Sequence, residues 1–223
     1  MAADTLALFD LDHTLLPHDS DEQWVAFLMD ARMLDRNRYQ NANRELIERY
    51  NRGEAGAGEF TEFYLSTLTG FSPEGLAALR ERFIAELIRP RIGARARAMV
   101  DLHREAGDVV VITTAVFSFL AHPIASEFGV ADCIATEGEI VDGCYTGRVQ
   151  GVANTREGKV ERLHDWLSQR GRKLADFREI WAYSDSQNDL PLLSLATHPV
   201  AVNADPVLAA HARHHGWPIV QFA

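Results

Sequence analysis

Leu6-Ala7-Leu8-Phe9-Asp10-Leu11-Asp12-His13-Thr14 is the stretch from which the rest of the 223-residue chain can be read. Leu6 to Phe9 form a short continuous apolar run, the pattern of a parallel strand covered on both faces, and the run stops at Asp10. Asp10 and Asp12 then fall at the carboxyl end of a strand, the edge where open α/β sheets bind their ligands. Two carboxylates one residue apart repel each other, so the pair calls for a nearby cation or for one proton. Such a pair can divide labour: one Asp attacks phosphorus and the other passes a proton to the leaving group. The same residues would also serve simply to end a strand, because Asp turns the chain by bonding its own backbone.

Outward from this strand the pattern changes to helical spacing. Trp24, Phe27 and Leu28 recur at three and four residues behind Asp19, Ser20 and Asp21, which can cap a helix start. Further helices are predicted near 35–50, 59–68 and 73–87, with Gly53–Gly58 as a break and Ser72-Pro73 as a start signal. No convincing strand occurs between Asp19 and about Arg89. Residues 17–89 therefore read as an inserted helical cap, much longer than an ordinary connection.

Residues 1–16 and 90–223 read as one α/β core. A helix over 92–104 leads to the β-branched run Val109-Val110-Val111-Ile112, a strand expected to deliver Thr113 and Thr114 at its end. A helix over 117–128, a strand over 133–136 and a hairpin over 139–149 centred on Asp142-Gly143 follow. Lys159 lies on a helix over 155–170, and a strand over 179–183 ends in Ser184-Asp185-Ser186-Gln187-Asn188-Asp189. Helix, strand, helix and strand complete the chain to Gln221. The fold class expected is α/β: a Rossmann-like three-layer core with a mostly parallel sheet, an inserted all-helical cap and a small β-hairpin.

Composition narrows the function. Hydrophobic content of 47% and charged content of 24% are those of an ordinary globular protein. A formal net charge of −10 argues against a general nucleic-acid binder, so an anionic substrate would need a local positive site. Cys133 and Cys144 make no metal pattern and read as reduced thiols. No stretch approaches 18 uninterrupted apolar residues and no signal-like segment opens the chain, so a cytoplasmic protein without a membrane anchor is expected. Nothing in the sequence specifies an oligomeric state. His13, His18 and the pair His214-His215 have no third partner at metal-ligand spacing.

Four motifs, taken together, resemble the haloacid dehalogenase-like hydrolases, within them the phosphoserine phosphatase-like branch with a small helical cap. They are Asp10-Leu-Asp12-His-Thr14, Thr113 after Val-Val-Val-Ile, Gly158-Lys159-Val160 and Tyr183-Ser-Asp185-Ser-Gln-Asn-Asp189, and they span essentially the whole chain. The resemblance implies a phosphatase in which Asp10 is the nucleophile that becomes an aspartyl-phosphate and Asp12 the general acid and then base. It implies that Thr113 binds a phosphoryl oxygen and that Lys159 neutralises charge. Asp10, the Asp12 main-chain carbonyl and Asp185 would hold Mg²⁺, with Asn188 and Asp189 supporting the metal or phosphate site. Such a cation suits hard oxygen donors, and phosphoryl transfer chiefly requires positioning and charge neutralisation.

One departure stands out: phosphoserine phosphatases usually carry Ser followed by glycines where this chain has Thr113-Thr114-Ala115. The substrate implied is a small phosphorylated metabolite, an amino-bearing ester such as phosphoserine or histidinol phosphate, with Asp19 placed to face its ammonium. Asp19 equally suits a plain helix start, and Arg44, Arg49 and Arg52 could meet a substrate carboxylate or simply face solvent. Transfer of phosphate to an acceptor alcohol, or non-catalytic binding of a phospho-ligand, are the alternative functions. Dehalogenation is disfavoured by Asp12 and the acidic metal site.

Overall fold

The computed structural model describes residues 4–52, 54 and 57–222. Of the expected break at Gly53–Gly58, residues 53, 55 and 56 lie outside the described residues. Strand β1 (Thr5–Phe9) sits at the centre of a six-stranded parallel sheet. Its neighbours are β2 (Val109–Phe117) and β6 (Glu179–Ser184), with Leu6 in register with Val109 on one side and Ile180 on the other. β3 (Asp132–Thr136) lies outside β2, while β7 (His198–Val202) and β8 (Ile219–Val220) extend the sheet beyond β6. Counting only these six strands in chain order, the sheet runs 3-2-1-4-5-6, so the direction of winding reverses between β1 and β6. That reversal opens a crevice at the carboxyl ends of the two strands, where doubly wound sheets place their ligands.

The two-residue period of β1 explains the layers. Ala7 and Phe9 face a core shared with α5 (Ala94–Ala106) and α6 (Ser118–Glu127). Leu6 and Leu8 face the opposite core, built with α7 (Glu157–Gln169), α8 (Leu190–Leu193) and α9 (Pro206–His215). The hairpin of β4 (Gly138–Val141) and β5 (Cys144–Val149) turns at Asp142 and Gly143, with φ of 52° and 80°. Two positive φ values are what a tight hairpin turn requires, as Asp-Gly predicts.

Between β1 and β2 the described residues are helical: α1 (Ser20–Asp30), α2 (Arg36–Asn51), α3 (Ala57–Leu65) and α4 (Pro73–Phe83). Ser72 caps α4 as its sequence predicts, its hydroxyl accepting from the Gly75 amide at 3.1 Å. A π-helical turn, Ile84–Ile88, carries the chain out of α4 towards the core. Trp24 of α1 is fully buried, with ring centroids of Phe83 and Phe119 at 5.3 and 5.6 Å. α1 is thereby fastened both to the end of the helical block and to α6 of the core. No helix among the described residues is long and apolar enough to cross a membrane.

Candidate active site

Asp10 follows the last residue of β1, and its amide continues the ladder by donating to the Tyr183 carbonyl at 2.9 Å. Beneath it, Phe9 stacks on Tyr183 with centroids 4.4 Å apart. The backbone carrying the first carboxylate is therefore locked to the strand that carries the motif around Asp185. A cavity of about 220 Å³ opens above this edge, bordered by Asp10, Asp12, Asp185, Asn188, Asp189 and Lys159 among others. Every residue expected at the site borders it except Thr113.

Lys159 is the centre of the cavity floor. Its side chain is 3% exposed, and Nζ donates to Asp10 Oδ1 at 2.7 Å and to Asp189 Oδ2 at 2.6 Å. Ser184 Oγ donates to the same Asp189 oxygen at 2.7 Å. Burial alone would lower the Lys159 pKa, but Asp10 and then Asp189 outweigh it and hold the ammonium above its ordinary value. Burial raises Asp10, against the pull of Lys159. Gly158 makes the arrangement possible at the start of α7, because a Cβ there would strike the Ala153 carbonyl oxygen.

The second oxygen of Asp10 faces Asp185. Thr14 Oγ1 lies 3.1 Å from Asp10 Oδ2 and 3.2 Å from Asp185 Oδ1, and it accepts from the Asp185 amide at 3.0 Å. One hydroxyl proton thus serves two carboxylates. Asp185 is pushed up to about 7, first by burial and then by Asp10. This donor set fits a hard divalent cation: Asp185 and Asp10, the latter sharing the one Lys159 ammonium with Asp189, joined by the residue-12 main-chain carbonyl that the resemblance implies. Among the described residues no three His, Cys, Asp or Glu side chains form a complete cage. Mg²⁺ takes few protein ligands and keeps several waters, so the sparse set suits it.

Asp12 stands apart from this floor. Its Oδ2 accepts from the Ser20 amide at 3.0 Å and the Ser20 hydroxyl at 3.1 Å, while Oδ1 is sealed from solvent without a partner. Burial, then Asp19 and Asp21, hold Asp12 well above the carboxylate range. A protonated carboxyl here would carry its proton on the oxygen that Ser20 leaves free. Asp19 caps α1, its Oδ1 accepting from the Glu22 amide at 2.8 Å, and the residue also borders the cavity.

One expectation needs correction. β2 does not end at Thr113 or Thr114 but runs on to Phe117, with the three residues between Thr113 and Phe117 opposite the single residue between Ile134 and Thr136. This bulge presents Thr114, Ala115 and Val116 to the cavity. Thr113 lies behind them, fully buried, its Oγ1 accepting from Asn154 Nδ2 at 3.0 Å. His13, which makes no metal pattern, borders the cavity in a left-handed turn with φ of 58°.

Sequence reasoning also missed supporting residues. Asn154 is fully buried and holds the bulge: Nδ2 reaches the carbonyls of Thr114 and Ile134 at 2.9 Å as well as Thr113. Ser20 and Asp21 at the start of α1 and Ser184 at the end of β6 complete the set, and nothing local in the sequence separates them from ordinary helix-start and strand-end residues. Thr14 was visible only as part of the first motif.

Comparison with known proteins places this geometry. The profile of the haloacid dehalogenase-like hydrolases matches residues 7–194. A histidinol-phosphatase of Neisseria meningitidis is 38% identical over 218 residues, covering 97% of this chain and 98% of that protein. A phosphoserine phosphatase of Mycobacterium tuberculosis is 33% identical over 222 residues, covering 97% of this chain and 70% of that protein. The crystal structure of a protein of unknown function from Bordetella pertussis Tohama I matches with a TM-score of 0.94 and 46% identity, covering 100% of both chains.

Proposed function

The chain belongs to the haloacid dehalogenase-like hydrolase family and is a phosphatase, and on that premise we propose that it hydrolyses an amino-bearing phosphate monoester through an aspartyl-phosphate on Asp10. The observation that carries the reading is the buried cluster of Asp10, Lys159 and Asp189, an ion network at the winding reversal of the sheet that core packing does not require.

Lys159 and Thr14 hold the two oxygens of Asp10, fixing the carboxylate at the cavity floor for its approach to phosphorus. As the bond from Asp10 to phosphorus forms, the bond to the ester oxygen breaks, and the Asp12 carboxyl supplies the proton that oxygen needs. Asp12, now ionised, takes a proton from a water that attacks phosphorus, which releases phosphate and restores Asp10. Lys159 and the Thr114–Val116 bulge border the position of the phosphoryl oxygens, where the ammonium offsets developing charge. Mg²⁺ held by Asp10, Asp185 and the Asp12 carbonyl would neutralise further phosphoryl charge. Asn188 and Asp189 support this end of the cavity, Asp189 through its bond to Lys159.

We assign residues 17–89 the role of a cap that covers the cavity and reads the substrate beyond its phosphate, with Asp19 facing the substrate ammonium. Closure over the site would exclude water, and opening would release product. The test is hydrolysis of p-nitrophenyl phosphate by wild type and Asp10→Asn, each with Mg²⁺ and with excess chelator. Turnover is expected only in wild type with the metal, with Asp10→Asn lower by about 10³-fold or more. Undiminished activity in Asp10→Asn would overturn the assignment of the nucleophile.

A further inference from the structure

We propose, resting on the phosphatase reading and its metal site, that Asn203-Ala204-Asp205 clamps the two loops that carry the Mg²⁺ donors. Asn203 and Asp205 follow β7 and do not border the cavity, so they are positioning residues that act through the loops and not on metal or substrate.

The sheet stops short of the donors. The bond from the Asp10 amide to the Tyr183 carbonyl continues the ladder of β1 and β6, and the Asp12 carbonyl and Asp185 lie beyond it. Thr14 joins the two loops to each other through Asp10 and Asp185. Residues 203–205 tie both loops to a third strand, β7.

Asn203 holds the first loop. Its Nδ2 donates to the His13 carbonyl at 2.8 Å, reaching past β6, which lies between β7 and β1 in the sheet. Asn203 is itself fixed, since its amide donates to the Val220 carbonyl at 2.9 Å and its Oδ1 accepts from the Phe222 amide at 3.1 Å. Both His13 and Asn203 sit in left-handed turns, with φ of 58° and 47°. Such values are sparsely populated by residues other than glycine, so the surroundings must hold them. With the His13 carbonyl anchored and its φ set, the rigid peptide plane between residues 12 and 13 is set as well, and that plane carries the Asp12 carbonyl.

Asp205 holds the second loop. Its amide donates to the Asp185 carbonyl at 2.8 Å, and its Oδ2 accepts from the Gln187 amide at 2.6 Å. The Asp185 amide donates to Thr14, so the peptide groups on both sides of Asp185 are fixed. The other oxygen, Asp205 Oδ1, accepts from the Val207 and Leu208 amides at 2.8 Å and caps α9. One carboxylate thus divides between an ordinary helix cap and the metal loop, and a helix start needs only the first. Mg²⁺ demands near-ideal octahedral geometry, and groups that orient metal ligands commonly weigh about ten- to hundredfold in metal affinity.

The rise in melting temperature with Mg²⁺ concentration measures affinity on each full-length protein against its own metal-free value, so a plain loss of stability drops out. Asn203→Gly keeps the left-handed backbone and removes the amide, while Asp205→Ser keeps one oxygen for the α9 cap and offers none to Gln187. Each is expected to need about tenfold more Mg²⁺ than wild type for the same rise. Ser72→Ala, which loses the cap of α4, should melt at a lower temperature yet need the same Mg²⁺ as wild type. A requirement equal to that of wild type in either Asn203→Gly or Asp205→Ser would overturn the clamp, and so would an equal increase in Ser72→Ala. Asp185→Asn should show little rise at all. A rise that persists there in full would strike the metal site itself, and the clamp with it.

Discussion

On the cavity floor Lys159 grips Asp10 and Asp189 at 2.7 and 2.6 Å and Ser184 adds a third bond, whereas on the wall supplied by α1 and the loop before it Asp12 and Asp21 each keep a sealed oxygen without a partner. Both regions are rich in carboxylates, but only the floor contains its own cation. The floor carries its own counter-charge, and in the proposed mechanism it serves the step common to every phosphate ester. The wall holds no such cation, and a site divided in this way can keep its chemistry fixed while its choice of substrate resides elsewhere.

Removing the floor's cation should break this contrast most sharply. Lys159→Met leaves Asp10 and Asp189 buried without neutralisation, and is expected to cost about 3–5 kcal/mol in denaturant unfolding and to abolish turnover. A fully active, equally stable Lys159→Met would show that the floor is not an ion network. Asn154→Ala strips the bulge of its bonds to Thr113, Thr114 and Ile134. About 1–3 kcal/mol of stability should be lost, with kcat falling more than KM changes, because Thr114–Val116 lose their support. An unchanged kcat would detach the bulge from the reaction.

A smaller effect sharpens the comparison through pH. Asp185 is raised to about 7 in the folded protein against an ordinary 3.8, so between those values the metal-free folded state binds a proton that the unfolded state has lost. Stability from that proton is present in full below 3.8 and declines as pH rises to about 7. Mg²⁺ must displace the same proton, so the melting-temperature increase it produces should grow with pH and level off above about 7. A pH-independent increase would remove Asp185 from the metal site. Trp24→Phe should change least. It gives up buried area in the aromatic cluster but also removes an indole N–H that has no partner, so unfolding should shift by within about 1 kcal/mol, as a denaturant melt would show.

The carboxylates of the floor were legible in the sequence because they follow strand ends, which are marked by where apolar runs stop, whereas Lys159 lies on α7 and was visible only through its motif. Phe9 to Asp10 and Tyr183 to Asp185 are such boundaries, and parallel pairing brings them together without further information. The extension of β2 was not legible, since a bulge depends on the register of β3, and Thr113 changes from lining residue to buried support when two extra residues enter. Asn154 was hidden for a similar reason: three of its partners lie on other strands. Asp21 looked like any acid at a helix start, and only its sealed oxygen and its place at the cavity distinguish it.

The burial of Trp24 and the two bonds from Ser20 to Asp12 bear on how this molecule could be recombined with a relative. α1 belongs mechanically to the core although it opens the inserted block, since it is fastened to the loop that carries Asp12 and to the ring of Phe119. A chimera spliced at Pro17 would transplant a foreign helix onto the proposed acid–base residue, and rate and selectivity would be expected to change together. Joints placed after Asp30 and before Phe83 would exchange α2, α3 and most of α4 while leaving Asp12, Ser20 and Trp24 in their native company.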